Sequence, residues 1–193
     1  MKLNKEEAFT GLEAAIVLIA FVVVAAVFSY VVLGAGFFTT QKAQEVVYTS
    51  VDQASSSVEI LGDVYGINES TSPVSIDLVR FTVGLTAGGS PVDFSQTTIT
   101  YSDKNNVSRL EKVSDTIATS TIGTGYWGVV RMANNESSDL LLENQEQFTI
   151  IVNPIDPIMA NQDFELQIRP AVGTAYAIER SAPARITGVN TLY

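Results

Sequence analysis

The chain has 193 residues, and 46% of them are hydrophobic, which is enough for one ordinary domain with a buried core and an additional segment. Its 21 acidic residues outnumber its 11 basic residues, and the resulting formal net charge of -10 repels phosphate and argues against nucleic-acid binding. Cys and His are both absent, which excludes disulfides, thiol nucleophiles, Ser-His triads and zinc sites with these ligands.

A segment without any charged residue runs from Ala14 to Gln41. A bilayer core requires about 20 apolar residues at a helical rise of ~1.5 Å, so this segment is long enough to cross a membrane. It is also longer than the apolar core of a secretory signal peptide, which has about 7–15 residues. The segment therefore predicts a retained helix rather than a discarded signal.

Apolar residues continue at helical spacing beyond the charge-free segment. They form a heptad-like stripe with steps of four and three residues, which predicts packing against another apolar surface: Val47, Val51, Ala54, Val58, Leu61 and Tyr65. We predict one helix over residues 9–62, roughly 80 Å long, which no small domain can cover. Gly34 and Gly36 are its predicted weak point, because Gly costs a helix interior about 1 kcal/mol relative to Ala.

Glu13 lies at the start of this apolar helix. A carboxylate there costs about 2.5–3.5 kcal/mol on membrane-insertion scales, so it indicates a partner or a function. A free amino terminus near Phe9 would supply that partner. The alternative interpretation is a single-pass membrane anchor with a juxtamembrane coiled coil, which explains the periodicity but leaves Glu13 without a role.

The segment Phe9-Thr10-Gly11-Leu12-Glu13, with the apolar block that follows it, resembles the start of the mature class III signal peptide proteins. These are the type IV pilins and especially the archaellins, the filament proteins of the archaeal swimming organelle. The resemblance implies a leader peptide over residues 1–8, which a prepilin-peptidase-like enzyme removes between Ala8 and Phe9. It aligns Gly11 with the early glycine of the family and Glu13 with the pilin-type glutamate.

The leader departs from the archaellin pattern at one point. Archaellin leaders usually carry a basic residue and then Gly before the cut, whereas this chain has Glu7 and Ala8, so a cut one residue earlier remains an alternative. The C-terminal stretch from Phe164 to Pro170, with further matches as far as Pro183, is also similar to the archaellin ending. The resemblance therefore rests on both ends of the chain.

The resemblance implies a structural subunit of the archaeal flagellum filament that polymerises through its N-terminal helix. The predicted polymerisation residues are Phe9, Gly11, Glu13, Ile16, Val47, Val51, Ala54, Val58 and Leu61. The implied partners are further copies or closely related archaellins, the peptidase, a membrane platform and an assembly ATPase. The precursor would wait in the cytoplasmic membrane with its lysines inside. A non-rotating adhesive pilin shares all these physical features and remains an alternative. A single-pass membrane-anchored β-sandwich that acts as a receptor or solute-binding protein is the other alternative.

From Gly66 onward the composition shifts to Ser, Thr, Asn, Gly and β-branched residues, which is typical of a β-rich domain. Period-2 alternation predicts strands in several places, with a bulge at the phase change between Leu78 and Val79. The predicted strands are centred on Val74 to Leu78, Val79 to Leu85, Thr97 to Tyr101, Tyr126 to Arg131, Phe148 to Val152, Phe164 to Ile168, Thr174 to Ile178 and Arg185 to Val189. We therefore predict an α+β fold: a long N-terminal helix followed by an immunoglobulin-like antiparallel β-sandwich head over residues 66–193.

Three N-x-[ST] sequons, at Asn68, Asn106 and Asn135, are predicted glycosylation sites, although chance alone gives nearly as many. The candidates for chemistry are weak. The pairs Asp163/Glu165 and Glu143/Glu146 lack a neighbouring nucleophile or phosphate loop and are interpreted as solvated faces. Asp103 and the asparagines after it fit a polar turn better than a Ca²⁺ loop. No catalytic residue, metal site or cofactor is predicted.

Overall fold

The computed structural model describes residues 5–69, 75–114, 117–118, 122–135 and 137–193, with side chains from residue 11 onward. The chain divides into two compact units, Met1–Thr49 and Ser50–Tyr193. The first unit contains most of one helix. The second unit, called the head below, contains the end of that helix from Ser50 onward and the strands found in the described residues.

Helix α1 spans Lys5–Ser55 and is continuous through Gly34 and Gly36. It ends seven residues before the predicted end at Gly62, and the serines that follow Ala54 explain why. The hydroxyls of Ser55 and Ser56 both donate to the carbonyl of Asp52, at 3.3 and 2.7 Å. The same carbonyl also accepts the backbone N–H of Ser56 at 2.9 Å. The serine hydroxyls therefore compete with the backbone for the last-turn carbonyl, which favours the end of the helix here.

Fourteen strands occur in the described part of the chain. They are β1 (Val58–Ile60), β2 (Val64–Ile67), β3 (Ser75–Ile76), β4 (Leu78–Leu85), β5 (Val92–Asp93), β6 (Thr98–Asp103), β7 (Val107–Lys112), β8 (Tyr126–Ala133), β9 (Leu141–Leu142), β10 (Gln147–Asn153), β11 (Ile158–Met159), β12 (Asp163–Arg169), β13 (Tyr176–Ser181) and β14 (Val189–Leu192).

Ten of these strands form one sheet in the order β13-β12-β6-β7-β8-β10-β4-β2-β14, with β1 added to β4. The pairings are antiparallel apart from β7 with β8, which run parallel. Buried side chains from both halves of the sheet, such as Phe81 and Ile150 on one half and Tyr101 and Leu166 on the other, form one apolar core. The sheet therefore folds over its own core, and the predicted α+β class with a sandwich head is confirmed.

The predicted bulge between Leu78 and Val79 is wrong, because β4 pairs with β2 in unbroken register there. Both residues are buried on opposite faces of β4: Val79 belongs to the main core, and Leu78 to a second cluster with Ile151 and Ala118. The irregularity lies instead between Thr149 and Ile150 on β10. The last predicted strand was placed four residues too early, and Val74 lies outside the described residues.

Candidate assembly interface

The surface of α1 is apolar and almost entirely exposed. Every residue from Gly11 to Ala54 is exposed, and the large side chains between Leu12 and Val51 are each more than half accessible. None of the apolar window that is long enough to span a membrane is buried. Exposed apolar surface on this scale marks an interaction site with protein or lipid.

The predicted polymerisation residues fall into two groups. Gly11, Glu13, Ile16, Val47, Val51 and Ala54 all lie exposed on α1, with Ile16 60% and Val47 59% accessible. Phe9 and the processing residue Ala8 lie within the helix, and their side chains are outside the described part of the chain. Six of the predicted residues thus share the exposed helix.

Val58 and Leu61 are corrected, because they belong to the head and not to the helix. Val58 is 2% accessible on β1 and pairs with Leu85. The amide of Leu61 donates to the carbonyl of Thr82 at 2.8 Å, and its side chain covers Gly84. Strand pairing removes both side chains from any helix face, so the stripe of exposed residues ends at Ala54.

The turn after β6 is built on Asp103. One carboxylate oxygen accepts the backbone N–H groups of Asn105 and Asn106, both at 2.7 Å, and the other accepts the Gln162 amide at 3.0 Å and the Tyr101 hydroxyl at 3.3 Å. Desolvation pushes the pKa of Asp103 upward, but these hydrogen bonds outweigh it and hold the pKa below its usual value. Burial, followed by the Asp103 charge, raises the pKa of Tyr101. The carboxylate is therefore occupied in holding a turn.

Two acidic pairs named in the sequence differ in their surroundings. Glu146 is only 6% accessible, and its carboxylate accepts the backbone N–H of Glu143 at 2.8 Å, so the interpretation of this pair as solvated was wrong for Glu146. Asp163 is exposed and Glu165 half-buried on β12. Among the described residues, no three acidic side chains are grouped closely enough to hold a metal ion.

A groove on the outer face of the head was not anticipated from the sequence. It has a volume of about 430 Å³, and its polar lining comes from Tyr65, Arg80, Thr82, Arg131 and Thr149. The guanidinium carbon of Arg80 lies 5.7 Å from the centre of the Tyr65 ring, at cation–π distance. The sequence signal for this groove is Arg80, which alternates with apolar residues on β4. The helical spacing that places Tyr65 in the predicted stripe hides the second residue of the groove.

A family model described as archaeal-type flagellin matches residues 8–180 of this chain. The chain belongs to the archaeal-type flagellin family. The resemblance found at its two ends is thereby confirmed over most of its length. As a member of this family it is a structural filament subunit and not an enzyme.

Three relatives extend the assignment. "Probable flagellin 1" of Archaeoglobus fulgidus is 41% identical over 98% of this flagellin and 97% of its own length. The solved archaeal flagellum of Methanospirillum hungatei strain JF1 superimposes with a TM-score of 0.70 at 32% identity, over 94% of this chain and 98% of that chain. The crystal structure of flagellin FlaB1 from Methanocaldococcus jannaschii has a TM-score of 0.58 at 18% identity, over 70% of this chain and 95% of that chain, and shares the fold.

The three sequons of this flagellin differ in accessibility. Asn68 is 9% accessible, and its amide nitrogen donates to the carbonyl of Ser75 at 2.6 Å, so the folded head hides it. Asn106 is exposed in the turn after β6, where its amide contacts Asp156 at 3.2 Å. Asn135 is half-buried and participates in a local turn with Ser138. Accessibility favours Asn106 as a glycan acceptor.

Proposed function

We propose that this structural filament subunit polymerises by burying α1 against the helices of other copies. The observation that supports the proposal is the apolar surface of α1, on which the large side chains from Leu12 to Val51 are each more than half accessible. Covering half of its apolar segment would remove on the order of 1,000 Å² from water, worth roughly 25 kcal/mol before ordering costs. A filament with helices inside and heads outside would therefore dissociate very slowly.

The same helix surface is proposed to hold the precursor in the cytoplasmic membrane before assembly. The apolar window is long enough to cross a bilayer, and Lys2 and Lys5 favour an orientation with the leader in the cytoplasm. A prepilin-peptidase-like enzyme then cuts between Ala8 and Phe9. One surface thus serves first in lipid and later in the filament core.

Glu13 is proposed to pair with the amino group that this cleavage exposes, on its own chain or on a neighbour. The side chain lies exposed on α1, so burial in a helical core would desolvate it. An unpaired carboxylate in such a core would take up a proton, whereas an ammonium group nearby would keep it charged. The pairing would fix the axial register between helices.

The filament is proposed to lie outside the cell and to drive swimming. The match to the solved archaeal flagellum of Methanospirillum hungatei supports this role over an adhesive pilus. The sequence contains no GxxxxGK[ST] motif, so the assembly ATPase is proposed to be a separate protein. A membrane platform is proposed as a further partner.

The test is complementation of a strain that lacks this subunit. The native chain should restore filaments under negative-stain microscopy and swimming in a motility assay, and the N-terminal sequence of the filament protein should begin at Phe9. Glu13→Ala and the isosteric Glu13→Gln should both reduce filament yield at least tenfold, because both remove the charge that pairs with the new terminus.

Different results identify which part of the proposal fails. Normal yield from Glu13→Gln would refute the charge pairing but leave helix polymerisation intact. Filaments without swimming would favour the adhesive pilus. Protein that begins at Met1 and stays monomeric in detergent would indicate a simple membrane anchor.

A further inference from the structure

We propose that the heads of neighbouring subunits dock through opposite charges, with the arginine groove of one copy on the acidic patch of the next. The arginine groove is the groove of Tyr65, Arg80, Thr82, Arg131 and Thr149. The acidic patch is Asp163, Glu165 and Glu179. The inference rests on the proposed filament assembly and adds a second contact outside the helices.

The arginine groove concentrates positive charge in an acidic protein. Thr82 pairs with Thr149 across β4 and β10, and Arg131 follows on β8 beside Thr149. The Cα atoms of Arg80 and Arg131 are therefore roughly 12 Å apart, two strand spacings across and two residues along. No carboxylate lines the groove, and neither arginine forms an ion pair with any described residue.

The acidic patch lies at the other end of the strand order. Glu165 on β12 is directly opposite Glu179 on β13, and Asp163 is two residues away on the same face. Like charges in directly opposed positions destabilise a sheet. Lys104 and Arg180 also line this surface, but none of the three carboxylates lies within ion-pair distance of a cation among the described residues.

These two surfaces complement each other in charge and are separate on the head. A contact between two different surfaces is heterologous, and repeating it extends an open helical filament whenever the rotation per subunit does not close a ring. The net charge of -10 makes copies repel each other in most orientations. A local match of opposite charges would therefore select the register in which the heads pack.

The experiment measures the release of subunits from filaments formed by the full chain. Sheared filaments are incubated at low ionic strength and sedimented, and the soluble fraction is quantified. The double reversal Arg80→Glu/Arg131→Glu should raise the soluble fraction about tenfold, because it places like charges in contact. The quadruple variant with Glu165→Arg/Glu179→Arg added should return release to within about threefold of the native filament.

A matched control variant distinguishes the loss of the docking contact from the effect of the change in net charge. Arg109→Glu/Arg185→Glu makes the same change in net charge at two exposed arginines outside the groove and should release subunits like the native chain. Salt gives a second readout, because the Debye length falls from about 10 Å at 0.1 M to 3 Å at 1 M. At about 1 M salt the double reversal and the native filament should differ by less than about twofold.

The milder variant Arg80→Gln/Arg131→Gln is included in case the double reversal misfolds, because it removes charge without introducing repulsion. It should raise the soluble fraction by about threefold. Native-like release from both groove variants would overturn the docking contact and leave polymerisation through α1 untouched. Failure of the quadruple variant to restore the native value, with its heads folded by circular dichroism, would also overturn it. Failure of the native chain itself to form filaments would instead refute the proposed function.

Discussion

Gly173 makes a close backbone contact within the head, and we predict that Gly173→Ala destabilises the head strongly. Its φ is +116°, a conformation that side chains disfavour. A Cβ atom at this position would clash with the carbonyl oxygen of Ser56. The amide of Thr174 donates to the same oxygen at 3.1 Å, so the two segments cannot separate without losing that hydrogen bond.

The magnitude follows from two separate costs. A non-glycine residue held in such a conformation costs about 1–3 kcal/mol. Displacing a backbone segment to make room for a methyl group adds about 1–3 kcal/mol. A total of about 2–6 kcal/mol lowers the melting temperature of a chain of this size by about 4–24 °C.

Trp127 provides the assay, because it is the only tryptophan of the chain and is 1% accessible in the core. The full chain in detergent is heated while its fluorescence is recorded. Two glycines serve as controls: Gly88 has a φ of +78° with no atom within 4 Å of a Cβ, and Gly188 has neither the strained φ nor a neighbour. Gly188→Ala should have the melting temperature of the native chain. The melting temperature of Gly88→Ala should lie between those of Gly188→Ala and Gly173→Ala.

The difference in melting temperature between Gly173→Ala and Gly88→Ala measures the cost of the contact with Ser56. If Gly173→Ala melts within about 2 °C of Gly88→Ala, the contact with Ser56 adds no measurable cost and the argument from close approach is refuted. If both melt like Gly188→Ala, the conformational cost is refuted as well.

Three further predictions concern the head. Asp103→Asn should lower the free energy of unfolding at pH 7 by about 1 kcal/mol, allowing for solvent screening. Because the pKa of Asp103 is lowered in the folded head, its charged carboxylate stabilises the head above pH ~4. This stabilisation is lost as the pH falls through the folded-state pKa. The free energy of unfolding of Asp103→Asn, measured with denaturant, should therefore depend less on pH below about 4 than that of the native chain. Phe148→Ala should lower the free energy of unfolding, measured with denaturant, by about 3–5 kcal/mol. Phe148 is fully buried, and the centre of its ring lies 5.6 Å from that of Phe94. Intact-mass spectrometry of native filaments should show a glycan that Asn106→Gln removes and Asn68→Gln leaves unchanged; an unmodified native mass would contradict this.

Several features could be predicted from the sequence because they depend on local pattern. The charge-free segment from Ala14 to Gln41 predicts an apolar helix wherever it is placed, since no alternative conformation satisfies its backbone in lipid or in a dry core. Strands with clear alternation, such as Phe148 to Val152, were found for the same reason. The family likeness at both ends supplied the function.

The end of the helix could not be read from the stripe. Spacing of four and three residues places Val58 and Leu61 on a helix face, but pairing of β1 with β4 stabilises a strand there instead. The run Ser55-Ser56-Ser57 was the local signal, and it was outweighed by the apolar spacing. Short apolar segments are ambiguous until a partner strand is known.

The sequence by itself thus determined the apolar, charge-free helix and the β-rich composition of the head, because each follows from residues close together along the chain. Only the tertiary structure decided which acidic and basic groups have partners. Arg80 and Arg131 are 51 positions apart and become neighbours through β10, while Glu165 and Glu179 are opposed by strand register. Charge complementarity depends on distance in space, and a linear sequence gives only the number of charges.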